Sequence, residues 1–276
     1  MHAVGLGAMA LSIAGRPPQA QALAVIRAFV EGGGNFIDTA NVYSLDDTDI
    51  GHSERLVGRA LDALGARDQV VVATKGGLRR PHGQWVSDGR PHWLRESCAA
   101  SLRALGVQRI DLYHLHAVDP AVPIEDSMGA LVRLQEAGWI AHIGVSNVDA
   151  AQLERARAVA QVVSVQNRCN VLEQRDLRSG LLARCARDDI AYLPHSSVGG
   201  HHGHVRLRES KVVAGIAARH GVTPYQVAVA WLLAQGENVI PIPGAARVES
   251  VRASLAAIRV LLTPAEIAAL DGLADL

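Results

Sequence analysis

The sequence predicts a single (β/α)₈ barrel, and three observations point there. Short β-rich apolar runs alternate with stretches of helical period, eight such runs are present, and their character does not change along the 276 residues. One α/β barrel fits a chain of this length. With no linker, low-complexity tract or second composition in view, residues 1–276 are expected to form one domain. The expected strands are residues 3–6, 35–38, 70–73, 110–114, 140–145, 162–165, 191–193 and 239–242.

Each element has its own signal. The first strand runs through Gly5-Leu6-Gly7-Ala8-Met9-Ala10, where alanine replaces the last glycine of a dinucleotide fingerprint and no helix opens. An open doubly wound sheet is disfavoured on that ground. Residues 18–31 carry alanine, leucine, valine and isoleucine at helical spacing, and Gly32-Gly33-Gly34 stops them. Pro91 opens a helix over 93–105 that Gly106 follows, and a helix over 124–136 ends before Gly138. Asp149 caps residues 150–159, Thr223-Pro224 starts a helix to Ala234, and Thr263-Pro264-Ala265-Glu266 starts a closing one.

Composition narrows the function. About half the chain, 49%, is apolar, enough for a large core. Lysine plus arginine number 27 and aspartate plus glutamate 27, so charge points to neither nucleic acid nor an anionic membrane as partner. The longest apolar stretches, such as residues 227–234, are far short of a membrane span. No basic segment followed by an apolar core opens the chain, so no secretory signal is expected. Cys98, Cys169 and Cys185 are odd in number and widely spaced; they read as buried free thiols and make a reducing cytoplasm the expected compartment.

Barrel active sites lie at the carboxyl ends of the strands. The polar residues just past each strand are therefore the candidates. The second strand delivers Asp38 and its loop Tyr43; the third delivers Lys75; the fourth His114 and His116. Ser146 and Asn147 follow the fifth, Gln166 and Asn167 the sixth, His195, Ser196 and Ser197 the seventh, and Gly244 the eighth. Asp38, Tyr43, Lys75 and His116 form a proton-donating set. An ammonium about 4 Å from a phenolate gains roughly 4 kcal/mol at an effective dielectric of 20, enough to draw a phenol from about 10 toward neutrality. Asp38 keeps the lysine charged, and His116 polarises the oxygen that receives the proton. These groups supply no electrons, so a hydride donor must bind beside them. The hydroxyl and amides of Ser146, Asn147 and Gln166 suit a carboxamide, and the turn from Gly244 to Arg247 suits a phosphate.

These residues resemble the aldo-keto reductase family over nearly the whole chain. The matching stretches are Gly5-Leu6-Gly7-Ala8-Met9, residues 35–43, Ser53-Glu54, Gly58-Arg59-Ala60-Leu61 and Ala73-Thr74-Lys75. Arg109-Ile110-Asp111-Leu112-Tyr113 with His116, Ile143-Gly144-Val145-Ser146-Asn147, Val165-Gln166-Asn167-Arg168 and Ile240-Pro241-Ile242-Pro243-Gly244 follow. The resemblance implies NADPH, more than NAD, as cofactor and a small-molecule carbonyl, an aldehyde or ketone, as substrate. It implies Tyr43 as proton donor, tuned by Lys75 and Asp38, with His116 orienting the carbonyl. It gives the nicotinamide carboxamide to Ser146, Asn147 and Gln166. His195, Ser196, Ser197, Val198 and Gly200 would run beside the nicotinamide and pyrophosphate, with Gly244 and Arg247 at the phosphates.

Departures from the family are as informative. His195 stands where an aromatic ring usually stacks on the nicotinamide, and Ala253-Ser254 where a glutamate–asparagine pair usually meets the adenine, so Ser254 is the candidate there. The hairpin that often plugs the barrel floor is not expected before the first strand, so either the floor is covered otherwise or the start is trimmed. Gly199-Gly200-His201-His202-Gly203-His204 is expected as a flexible loop near the pyrophosphate, and no metal is expected. Trp85, in the loop 76–90, is the candidate for the substrate pocket, whose mouth is expected to be open to bulky carbonyls. A cofactor-binding regulatory subunit and a non-redox lyase are the rival readings of the same barrel.

Overall fold

The computed structural model describes residues 2–275. Nine strands form among them: β1 (Leu6–Gly7), β2 (Phe36–Asp38), β3 (Val71–Gly76), β4 (Leu78–Arg79), β5 (Val86–Ser87), β6 (Ile110–Leu115), β7 (Ile140–Ser146), β8 (Val162–Gln166) and β9 (Ala191–Tyr192). Seven make one parallel sheet in the order β1-β2-β3-β6-β7-β8-β9, while β4 and β5 make an antiparallel hairpin. Parallel neighbours need long crossovers, and helices supply them. These are α1 (Gln19–Glu31), α2 (His52–Leu64), α3 (Pro91–Leu105), α4 (Ile124–Glu136), α5 (Ala150–Arg157), α6 (Arg175–Arg178), α7 (Leu181–Arg187), α8 (Gly200–Glu209), α9 (Lys211–His220), α10 (Pro224–Leu233), α11 (Val248–Ala256) and α12 (Pro264–Asp271).

Seven of the eight expected strands form, shifted by up to three residues at their ends. The eighth does not. Residues 239–244 form isolated bridges instead, Tyr192 with Val239 on one side and Gly7 with Gly244 on the other. The physical reason is proline. Pro241 and Pro243 have no N–H to donate; their carbonyls accept from Gly5 at 2.9 Å and Gly7 at 3.1 Å, and the ladder cannot become continuous. This segment still runs between the two outer strands, since Ile240 donates to the Tyr192 carbonyl at 2.9 Å.

Three of the helix starts read from sequence have the bonds they predict. Asp149, Thr223 and Thr263 each accept from the third helical N–H and complete a capping box with Gln152, Gln226 and Glu266. The expected flexible loop at Gly199 is instead the start of α8, with Gly199 as its left-handed N-cap at φ 89°. A side chain there would strike the Gly203 backbone at 2.5 Å, so only glycine permits the turn. His201 and His202 lie outside the described side chains.

The core follows the layers. One cluster joins β6 to β8 with the helices outside them, including Tyr113, Met128, Val165 and Trp231; a second joins β1 and β2 to α1, α2 and α11 through Leu6, Phe29, Leu56 and Val251. A third draws Phe36, Ala73, Leu112, Leu193 and Ile242 from five places around the curled sheet. Among the described residues no helix is long and apolar enough to cross a membrane. All three cysteines are free and buried.

Candidate active site

Strand register brings the acid–base set together. Asp38 stands opposite Ala73 across β2 and β3, so Lys75, two residues on, projects from the same face. Lys75 in turn stands opposite His114 across β3 and β6, which sets His116 just beyond the strand end. The Lys75 ammonium, fully buried, donates to both Asp38 oxygens at 2.8 Å, to the Thr39 carbonyl at 2.8 Å and to the Tyr43 hydroxyl oxygen at 3.0 Å. Gln166 donates its amide to Asp38 Oδ1 at 2.7 Å. The carboxylate is held from two sides.

The electrostatics differ from the sequence expectation in one respect. Burial pushes the Tyr43 phenol above its ordinary value; Lys75 opposes this and Asp38 adds to it. Proximity to the ammonium was expected to bring the phenol toward neutrality, but strand spacing does not reveal that the ring is only 7% exposed. Tyr43 is therefore a neutral phenol, the form that can donate. Burial works against the Lys75 charge, yet Asp38 and Tyr43 outweigh it and its pKa is raised. Burial also raises Asp38, against the pull of Lys75.

Burial, followed by Lys75, His195 and His114, holds His116 well below the usual histidine range. Its ring is neutral, and Nδ1 is buried without a partner. An orphan lone pair costs less than an orphan N–H, which assigns the proton to Nε2. His114 is spent elsewhere: its Nε2 pairs with Ser164 Oγ at 2.8 Å, and burial holds its pKa down at about 3.

Trp85, half exposed on the β4–β5 hairpin, meets the set from above. Its ring lies edge-on to Tyr43 at 6.3 Å and to His116 at 6.4 Å, and those two rings are 5.8 Å apart. Tyr43 belongs to a small apolar cluster with Ala40, Val42 and Leu78, against which Met9, Ile50 and Ala117 pack. Trp93 donates its indole N–H to the Leu78 carbonyl at 3.3 Å and braces the hairpin.

The residues expected to hold a cofactor divide into two groups. Ser146 stands opposite Gln166 across β7 and β8, beside Asp38. Asn147, left-handed at φ 57°, donates to the His116 carbonyl at 2.9 Å and to Ser146 Oγ at 3.0 Å, and accepts from His195 Nε2 at 3.1 Å. The His195 Nδ1 then accepts from Ser196 Oγ at 3.2 Å, and burial holds the ring neutral with a pKa of about 3. So Asn147 and His195, 48 residues apart, form one unit that the sequence did not disclose. Ser197 Oγ is turned inward to the Pro194 carbonyl at 2.7 Å, and Val198 packs against the core.

The second group stands away from Tyr43. Gly200 opens α8 at φ 64°, where a side chain would crowd Ser196 and Arg168. Gly244 and Arg247 are exposed at the turn into α11, whose N-terminus has no side-chain cap. Ser254, half-buried on α11, lies close to Val4, Phe29 and Pro243, with no room for a water between them. A convergent hydroxyl and two amides at one end, with uncapped helix N-termini and an arginine at the other, are a donor set that fits a dinucleotide phosphate. Arg80, which no motif marks, is buried behind Trp85 with its guanidinium 4.0 Å from the ring centroid.

A parallel α/β sheet whose strand ends bring together a phenol, a buried ammonium–carboxylate pair and a neutral imidazole defines the class, a barrel-type α/β protein with a candidate acid–base site. Within that class, the chain belongs to the aldo/keto reductase family, an oxidoreductase family whose model matches residues 3–275. It is 31% identical over 293 residues to a probable aldo-keto reductase 1 of Glycine max, covering 96% of this chain and 83% of that protein. A thermostable aldo-keto reductase, solved with the inhibitor epalrestat, is 29% identical with a TM-score of 0.84, covering 99% of this chain and 95% of the other. An aldo/keto reductase from Klebsiella pneumoniae, solved with NADP and acetate, is 26% identical with a TM-score of 0.81, covering 98% and 90%.

Proposed function

We propose that this protein reduces an aldehyde or ketone to an alcohol with NADPH, as a one-domain (β/α)₈ barrel in which residues 239–244 take the eighth position. The observation that carries the reading is Lys75, whose single ammonium touches the Tyr43 hydroxyl at 3.0 Å and both Asp38 oxygens at 2.8 Å. NADPH, when bound, supplies the hydride that adds to the carbonyl carbon. Tyr43 gives its phenolic proton to the carbonyl oxygen, and the phenolate left behind is neutralised by Lys75. Asp38, tied by Gln166, keeps Lys75 aimed. His116 donates from Nε2 to the same carbonyl oxygen and fixes its position.

Ser146, Asn147 and Gln166 would hold the carboxamide, His195 and Ser196 the ring edge, Gly200 the pyrophosphate, and Gly244, Arg247 and Ser254 the adenosine end. NADP complexes among the relatives support that cofactor. Three buried thiols suit a reducing cytoplasm. Replacing Tyr43→Phe tests the reading. NADPH affinity, followed by protein fluorescence, is expected to stay unchanged while turnover of a simple aldehyde falls roughly 10²–10⁴-fold. Undiminished turnover would remove the phenol from the mechanism.

A further inference from the structure

The β4–β5 hairpin carries an arginine used for something other than charge. Arg80 is 7% exposed, although the hairpin lies at the mouth of the site. Its guanidinium covers one face of Trp85 at 4.0 Å. The same group donates to the Ser44 and Leu45 carbonyls at 3.2 Å each and to the Gly83 carbonyl. Ser44 and Leu45 directly follow Tyr43. Left-handed His82 (φ 49°) and Gly83 (φ 77°) fold the hairpin back so that residues 80 and 85 meet. One guanidinium thus ties the indole to the loop that bears the proton donor.

We infer that Arg80 is a positioning residue for substrate choice, and that it makes Trp85 a stacking wall for carbonyls bearing an aromatic or conjugated planar group. With one indole face occupied by Arg80 and 47% of the residue still exposed, the remaining surface is offered beside Tyr43 and His116. A rigid, flat surface rewards a flat partner, while a short aliphatic chain gains little from it. The cluster that includes Tyr43, with Met9, Ile50 and Ala117 packed against it, is apolar, which suits the same class. A lysine could replace the charge at position 80 but neither the planar stacking nor the fork that reaches three carbonyls.

This inference rests on the reductase reading, and the test separates the two. NADPH oxidation is followed with benzaldehyde and with butanal for the wild type, Arg80→Met, Arg80→Lys and Trp85→Ala, with NADPH affinity measured by fluorescence titration. The wild type should show the lower KM for benzaldehyde. Both Arg80 variants should raise that KM about tenfold with kcat held within about twofold, while the butanal KM and NADPH affinity stay within about twofold. Trp85→Ala should abolish the preference for benzaldehyde, and this arm decides alone if the Arg80 variants fail to fold. Equal losses on both aldehydes, or an aryl preference that survives Trp85→Ala, overturn the inference. Turnover of neither aldehyde by the wild type sinks the reductase reading itself, and this inference with it.

Discussion

At the scale of single residues, Lys75 is where the proposed chemistry and stability meet. Replacing Lys75→Met leaves the Asp38 carboxylate buried with only the Gln166 amide at 2.7 Å as side-chain partner. Breaking a buried pair on one side costs about 3–5 kcal/mol, whereas removing both charges is often nearly neutral. Guanidinium unfolding should therefore show Lys75→Met strongly destabilised and the double variant Lys75→Met with Asp38→Asn largely recovered, with neither turning over an aldehyde. A Lys75→Met protein as stable as the wild type would mean that Asp38 finds another cation. The four central residues were legible in the sequence because each falls at or soon after the carboxyl end of a strand, where barrel active sites lie. Other facts need three-dimensional neighbours. The rise in the Tyr43 pKa depends on what packs over the ring, and the bond from His195 to Asn147 joins loops whose approach no local pattern encodes.

At the scale of elements, α2 and β3 meet through a buried acid. Glu54 accepts from Thr74 Oγ1 at 2.6 Å, and burial, opposed by Thr74 and Ser101, raises its pKa to about 7. The unfolded chain releases this proton near 4.5, the folded one near 7. Between those values the folded state binds more protons, so stability falls as pH rises through this window and stays lower above it. Glu54→Gln removes the titration. Its stability relative to wild type should rise by at most about 3 kcal/mol between pH 4.5 and 8, read from denaturant midpoints at each pH. A difference that is constant with pH would show that Glu54 titrates normally. Helices with polar caps, such as α5 at Asp149, were legible; α2 was not, because Gly51 starts it in the left-handed region with no side-chain bond. The start of α8 also escaped, because its glycines and histidines are weak helix formers that read as a loop.

At the scale of the whole molecule, the two outer strands are joined through residues 239–244, and the prolines that prevent a regular strand there make the join depend on a few bonds. Strand alternation made the parallel architecture legible, but not this junction, because an apolar run around two prolines looks like a strand until each donor is assigned. Gly7 is where the junction is closest. A Cβ there would lie 2.7 Å from the Ile242 carbonyl oxygen, a backbone atom that cannot swing aside. Gly7→Ala should therefore cost about 1–3 kcal/mol by overpacking, despite lowering the entropy of the unfolded chain. Gly129→Ala, inside α4 with its nearest atom the flexible end of Arg133 at 3.6 Å, should instead stabilise by up to about 1 kcal/mol. The two substitutions share their chemistry, so opposite signs isolate geometry as the cause. Hydrogen exchange adds a spatial readout. The Gly5 amide, bonded to Pro241, and the Ile240 amide, bonded to Tyr192, should lose protection together in Gly7→Ala, before the β6–β7 amides do. If protection fell evenly over the sheet, residues 239–244 would not be a separate join, and the sheet would open as one body.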